Sequence, residues 1–194
     1  MHNHPVINYL RDTISISDSE EALILKKVKS RRYLKGQFIV QQGDVCRYLS
    51  FVVSGSTRTF HIDDKGKEHT FRFAIENWWA ADLPSFILQN SGNTNVQCLE
   101  HTEVVQLSSE SLEELYLEIP QLERLFRILF QRVSISLEKR IIDNFSRSAK
   151  ERYVLFLQEH PDFEQRVPQY MIASYLGITK QYLSEIRHQI ARKK

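Results

Sequence analysis

Lys180, Gln181, Ser184, Glu185 and His188 recur at the intervals that gather side chains on one face of a helix. Each could meet the edge of a base in duplex DNA. A lysine donates to guanine, a glutamine can bond adenine through both amide groups, and a glutamate accepts from cytosine N4. Arg187 and the run Arg192-Lys193-Lys194 suit phosphate oxygens, and Gln169, at the start of a preceding helix, is also placed for phosphate. Other chemistry is poorly represented. The single His-x-His, His2-Asn3-His4, falls at an expected loose terminus, and His61 and His69 are eight residues apart across a turn, where surface histidines are the plainer reading. No Gly-x-Ser-x-Gly, phosphate-loop or His-Glu-x-x-His pattern occurs. No catalytic residue, metal site or cofactor is therefore expected, and the chain reads as something other than an enzyme.

A helix-turn-helix is the element that would position these side chains. It must bury the inner faces of two short helices crossing steeply. Counting from Gln169, positions four, eight, ten, fifteen and eighteen should be apolar, and they are Ile172, Leu176, Ile178, Leu183 and Ile186. The fifth, where the helices nearly touch, is the small Ala173. The ninth must accept the left-handed turn, and it is Gly177. Thr179 is placed to cap the second helix. A generic helical hairpin would satisfy several of these positions but has no reason to satisfy all seven.

Upstream, residues from about Arg32 to Leu107 alternate short apolar or β-branched runs with turns: Phe38–Val40, Leu49–Val53, Thr57–Ile62, Thr70–Ile75, Val96–Leu99 and Val104–Leu107. Such spacing indicates an antiparallel sandwich or barrel. Asp63-Asp64-Lys65-Gly66 is a good hairpin turn. Ser108 or Ser109 could cap a short helix containing Leu112 and Leu115, with Glu113 and Glu114 near its positive end. Pro120 then suits the first turn of a long helix, Gln121 to about Phe145. Its apolar positions, Leu122, Leu125, Phe126, Leu129, Phe130, Val133, Leu137 and Ile141, form too wide a stripe for one thin seam. One side would cover the β-domain and another would pair with a second copy, the alternative being a core helix within one chain. Ser146-Arg147-Ser148 reads as a hinge and Ala149–Glu159 as a helix with Tyr153, Leu155 and Phe156 inward, ended by His160-Pro161.

Composition is that of an ordinary globular protein, with 42% hydrophobic and 26% charged residues. No apolar run is long enough to span a membrane, and the N-terminus lacks a secretory pattern, so a cytoplasmic location is expected. Cys46 and Cys98 are too few for a disulfide framework or a four-cysteine cluster. The net charge of +2 is unevenly spread. Gln165–Lys194 holds six Lys or Arg against one acid, so a polyanion would be drawn to that end, although basic tails are often merely solvated.

Over nearly its whole length the chain resembles the Crp/Fnr family of bacterial transcription regulators. The resemblance rests on Lys35-Gly36, Gln42-Gly43-Asp44, Phe51-Val52-Val53-Ser54-Gly55, Asp64-Lys65-Gly66-Lys67-Glu68 and Ile172-Ala173-Ser174-Tyr175-Leu176-Gly177-Ile178-Thr179. It implies an α+β protein: an antiparallel β jelly roll (a double-stranded β-helix) for sensing over 1–119, a dimerisation helix over 120–146, and a small helix-turn-helix domain over 147–194. A full β-wing after the second helix is not expected. The partners implied are double-stranded DNA, a second copy along 121–145, an unidentified small-molecule effector and, for an activator, RNA polymerase.

Two departures qualify the likeness. Nucleotide-binding members set Gly-Glu and Arg-Ser pairs around the cyclic phosphate and ribose, where this chain has Ala81-Asp82 and Gly92-Asn93-Thr94. No arginine or lysine lies between Arg72 and Arg124, so cyclic AMP is not the expected effector. Trp78, Trp79, Asp82, Asn93 and Thr94 instead mark a pocket for some other ligand, with a simple core role the competing reading for the tryptophan pair. Glu185 stands where many relatives have arginine, so the operator should differ from theirs. The competing function is ligand-sensing signalling without operator-specific DNA binding.

Overall fold

The computed structural model describes residues 4–192; His2, Asn3, Lys193 and Lys194, named above, lie outside them. Helices α1 (Pro5–Arg11) and α2 (Asp18–Lys27) precede strands β1 (Val28–Tyr33), β2 (Phe38–Val40), β3 (Tyr48–Ser54), β4 (Thr57–Ile62), β5 (Glu68–Ala74) and β6 (Trp79–Ala80). Helix α3 (Leu83–Leu88) leads to β7 (Asn95–Cys98) and β8 (Thr102–Ser108). Helices α4 (Ser109–Glu118), α5 (Pro120–Ser146), α6 (Ala149–Glu159), α7 (Phe163–Arg166), α8 (Gln169–Leu176) and α9 (Lys180–Ala191) complete the order.

The strands form two antiparallel sheets of four, in the orders β1-β8-β3-β6 and β2-β7-β4-β5. Phe51, Val52 and Val104 of the first sheet and Val40 and Val96 of the second enter one core, to which α5 adds Leu122, Leu125 and Phe126. Two antiparallel sheets answer to the sandwich or barrel expected from strand spacing, and they form the jelly roll that the family resemblance implies, with the long helix laid against it. The hairpin at Asp63–Gly66 closes with Gly66 N–H donating to the Asp63 carbonyl at 2.9 Å, and it puts His61 opposite His69. The two histidines serve different partners. His61 donates to the Asn93 carbonyl and His69 to the Asp63 carboxylate, each at 2.8 Å.

The loose terminus expected at His2-Asn3-His4 lies, but for His4, outside the described residues, and the segment that follows packs on the roll. From Pro5 it is helical, and Val6, Ile7 and Leu10 are buried on the roll. A seven-residue helix is marginal alone, and its apolar face acquires meaning only from the sheet it meets. β1 likewise begins before Arg32. Its sequence, Val-Lys-Ser-Arg-Arg-Tyr, pairs along β8 only, at a sheet edge, so it shows no core alternation. Helix α5 outruns the roll: Ile135, Ile141, Ile142 and Phe145 are exposed beyond it. Among the described residues no strand follows β8, and no helix is long and apolar enough to cross a membrane.

Two glycines separate conformational need from crowding. Gly55 (φ +91°) and Gly177 (φ +68°) both hold left-handed backbone. A Cβ on Gly55 would sit 2.5 Å from the His101 carbonyl oxygen, whereas one on Gly177 would meet nothing within 4 Å. Gly177→Ala should therefore cost only the conformational penalty, about 1–2 kcal/mol. Gly55→Ala should cost more than that, and urea denaturation midpoints measured at equal slope will rank the two.

Candidate nucleic-acid interface

Helices α8 and α9 meet at a tight corner. Gly177 ends α8 in left-handed geometry, and its N–H reaches the Ser174 carbonyl at 3.1 Å. Thr179 opens α9 by accepting from Tyr182 N–H at 3.1 Å. Ile172, Ala173, Leu176, Leu183 and Ile186 are all buried inside the corner, with Ile178 packed against them. With Leu183 and Ile186 inward, Lys180, Gln181, Ser184, Glu185 and His188 are exposed.

Thr179 is exposed as well, its hydroxyl engaged in the cap. Gln169 is half-buried at the start of α8. Arg187 is differently engaged. Its Nε lies 2.9 Å from Glu164, which also accepts from the Tyr153 hydroxyl at 2.6 Å, so the guanidinium braces α9 on α7 and α6. Two exposed aromatics escaped sequence reasoning: Tyr182, 45% exposed in the first turn of α9, and Tyr170, 50% exposed at the start of α8. An aromatic beside an apolar stripe reads as core. The signal was the helical count itself, since Leu183 and Ile186 already fill the inner positions next to Tyr182.

The corner is docked on the roll at three places. The Ser174 hydroxyl accepts from Thr70 N–H (2.9 Å) and donates to the Glu68 carbonyl (3.0 Å), so α8 covers the outer edge of β5. Arg140 of α5 donates to the Phe71 carbonyl and to that of Tyr175 (2.6 Å). Arg166 of α7 forks onto both Glu76 oxygens, each at 2.9 Å, and reaches Glu100 at 2.6 Å. Phe73 of β5 fills the space between them, with ring centroids 5.4 Å from Tyr175 and 5.5 Å from Phe163.

The residues expected to share one effector pocket are separated. Trp78 and Trp79 line a cavity of about 630 Å³ between the roll and α5. Trp79 packs on Phe51 and Phe126 with centroids 5.1 and 5.3 Å away, while Trp78 stays 40% exposed. Asp82 and Thr94 do not line that cavity. The buried Asp82 carboxylate caps α3 through Ser85 N–H (3.2 Å) and accepts from Thr94 N–H (2.9 Å) and the Thr94 hydroxyl (2.8 Å). A Cβ on Gly92 would meet this carboxylate at 2.5 Å. The Asn93 carbonyl is taken by His61. An internal anion thus uses the donors a cyclic phosphate would need, and no cation stands nearby in sequence, so these residues do not fit a cyclic nucleotide.

Comparison with known proteins agrees with this architecture. The family model of the cyclic nucleotide-binding domain matches residues 30–118. The transcriptional activator protein Anr of Pseudomonas protegens is 31% identical over 136 residues, 66% of this chain and 52% of that protein, so the chain spans about half the length of that relative. Anr of Pseudomonas aeruginosa is 27% identical over 191 residues, covering 90% of this chain and 74% of its own. The structure of a Crp/Fnr-family protein from Eubacterium rectale superposes with a TM-score of 0.72 at 18% identity, over 96% of this chain and 88% of that one.

Arg166 holds the Glu76 carboxyl below its ordinary 4.5. A carboxyl lowered in the folded state adds stability above its unfolded value and loses it as the pH falls through the folded one. The group is partly exposed, so solvent screening limits the tie to about 1 kcal/mol. Amide protection factors over 163–176, which correct for the slower intrinsic exchange in acid, should fall below the carboxylate range relative to neutral pH. In Arg166→Gln protection should be low at both, with this pH response lost.

Proposed function

We propose that the chain is a DNA-binding transcription regulator of the Crp/Fnr type that grips operator DNA as a homodimer. The observation carrying this reading is the outer face of α9. Lys180, Gln181, Ser184, Glu185 and His188 are free to solvent while Leu183 and Ile186 of the same helix are wholly buried. A helix held rigidly by one face and polar on the other is what the major groove accepts. Tyr182 adds an apolar ring to the groove-facing set, and Arg192, exposed at the end of α9, is placed for phosphate.

The division of labour is that residues 1–119 sense, 120–146 pair two copies and 147–194 hold DNA. Pairing is supported by the exposed Ile135, Leu137, Ile141, Ile142 and Phe145 on α5, an apolar face that water disfavours. Two copies joined along α5 would offer paired α9 helices to half-sites about 34 Å apart. The three anchors on β5, Glu76 and Glu100 fix where α9 points, so the roll sets the direction of the reading head. The relatives named as activators support regulation of transcription; for an activator, RNA polymerase is the further partner, and the cytoplasm is where such a protein works.

Binding to nonspecific duplex should weaken steeply with salt, because each phosphate contact releases counterions. Selection from random duplexes with Gln181→Ala should shift preference at one base step by about 1–3 kcal/mol. Salt-insensitive binding would favour ligand-sensing signalling without an operator. An unchanged operator would mean that another face of α9 meets the bases.

A further inference from the structure

We infer that the cavity between β5, β6 and α5 binds a small aromatic carboxylic acid whose carboxylate is held by Arg72 and Arg140. The space, about 630 Å³, is in the range of sites for small organic ligands. Its wall is largely aromatic, with Phe71, Trp78, Phe130, His160 and Tyr175 contributing. Of the three arginines on that wall, Arg132 is exposed at the rim, while Arg72 and Arg140 are half-buried and no carboxylate neutralises them. The Arg72 side chain makes no hydrogen bond or ion pair among the described residues, and its charged neighbour is Arg140. Arg140 bonds only neutral carbonyls, those of Phe71 and Tyr175, and lies 3.9 Å from the Tyr175 ring centroid. The one carboxylate on the cavity wall, Glu159, is held by Lys139 at 2.7 Å.

Burial lowers the pKa of both arginines, and the Arg140 charge lowers that of Arg72 further. Two like charges partly stripped of water are unfavourable until an anion joins them. A carboxylate matches the planar donors of a guanidinium, and an aromatic body matches the rest of the wall. Among the described residues nothing else on the wall supplies a counter-charge. The site is separate from the Asp82–Thr94 arrangement, whose donors are already taken. It also stands independently of operator binding.

The chain has two tryptophans, and both line this cavity, so their emission reports its occupancy. The full chain would be titrated with benzoate, 1-naphthoate and indole-3-acetate, and with methyl 1-naphthoate as the uncharged counterpart, with calorimetry as a second readout. At least one acid should bind saturably, and methyl 1-naphthoate should bind about tenfold more weakly than 1-naphthoate. Arg72→Gln should weaken the acid by about the same factor. Because Arg72 holds no structural bond, this variant should unfold at the same temperature or higher. Arg132→Gln, at the exposed rim, should keep most of the affinity. Equal binding of acid and ester, unchanged affinity in Arg72→Gln, or no binding by any of the three acids would overturn the proposal.

Discussion

The corner formed by α8 and α9 lacks a closed core of its own. The apolar cluster around Ile172, Leu176, Leu183 and Ile186 is completed by Phe73 of β5 and by Leu99, both from the roll. Burying a phenylalanine side chain contributes about 1.5–3 kcal/mol, comparable to a substantial share of the stability of so small a helical unit. Phe73 is thus a residue of the roll that belongs to the core of the corner. The polar anchors follow from it. Once Phe73 brings α8 against β5, the free backbone groups of that edge strand need partners, and Ser174 supplies them from the helix side.

β5 consequently carries two kinds of contact within a few residues. Glu68 and Thr70 hold α8 through their backbone, while Phe71 and Arg72 face the cavity beside α5. Arg140 spans both, since it grips the Phe71 carbonyl on the strand and the Tyr175 carbonyl on the helix. A charge entering the cavity therefore acts on the residue that joins α5, β5 and α8. Coupling between a sensing site and a reading head needs a shared element with differing contacts in two states. β5 and Arg140 are the element that the cavity and the α8–α9 corner share.

Much of this was readable in the residues, and the failures have physical causes. β2, β4 and α6 fall where their apolar runs and caps put them, because a strand or helix with one clear inner face declares its period. The α8–α9 corner was legible for a stronger reason, in that small, apolar and glycine positions are each constrained by a different contact. α1 was illegible because its burial is wholly tertiary. Arg187 was assigned to phosphate on charge alone, and nothing in the local sequence announces Glu164, which is 23 residues earlier yet pairs with it. The expected effector-pocket set combines residues from two places, since Asp82 follows Trp78-Trp79 closely in sequence while the tryptophans line the cavity and the Asp82 carboxylate turns to Ser85 and Thr94.

Asp82 shows how a sensing fold changes its chemistry without changing its shape. A carboxylate at that place needs donors, and the protein supplies its own in Ser85 and Thr94. Having satisfied them internally, the cassette is stiffened between α3 and β7 and has no further demand for an external phosphate. The unmet demand lies instead at Arg72 and Arg140, which line the cavity between β5 and α5. A half-buried charge left without a counter-charge costs free energy in every molecule that carries it. The cost is recovered only when something enters, which makes occupancy of the cavity, rather than closure of the cassette, the event to which the arrangement of α5 and β5 can respond.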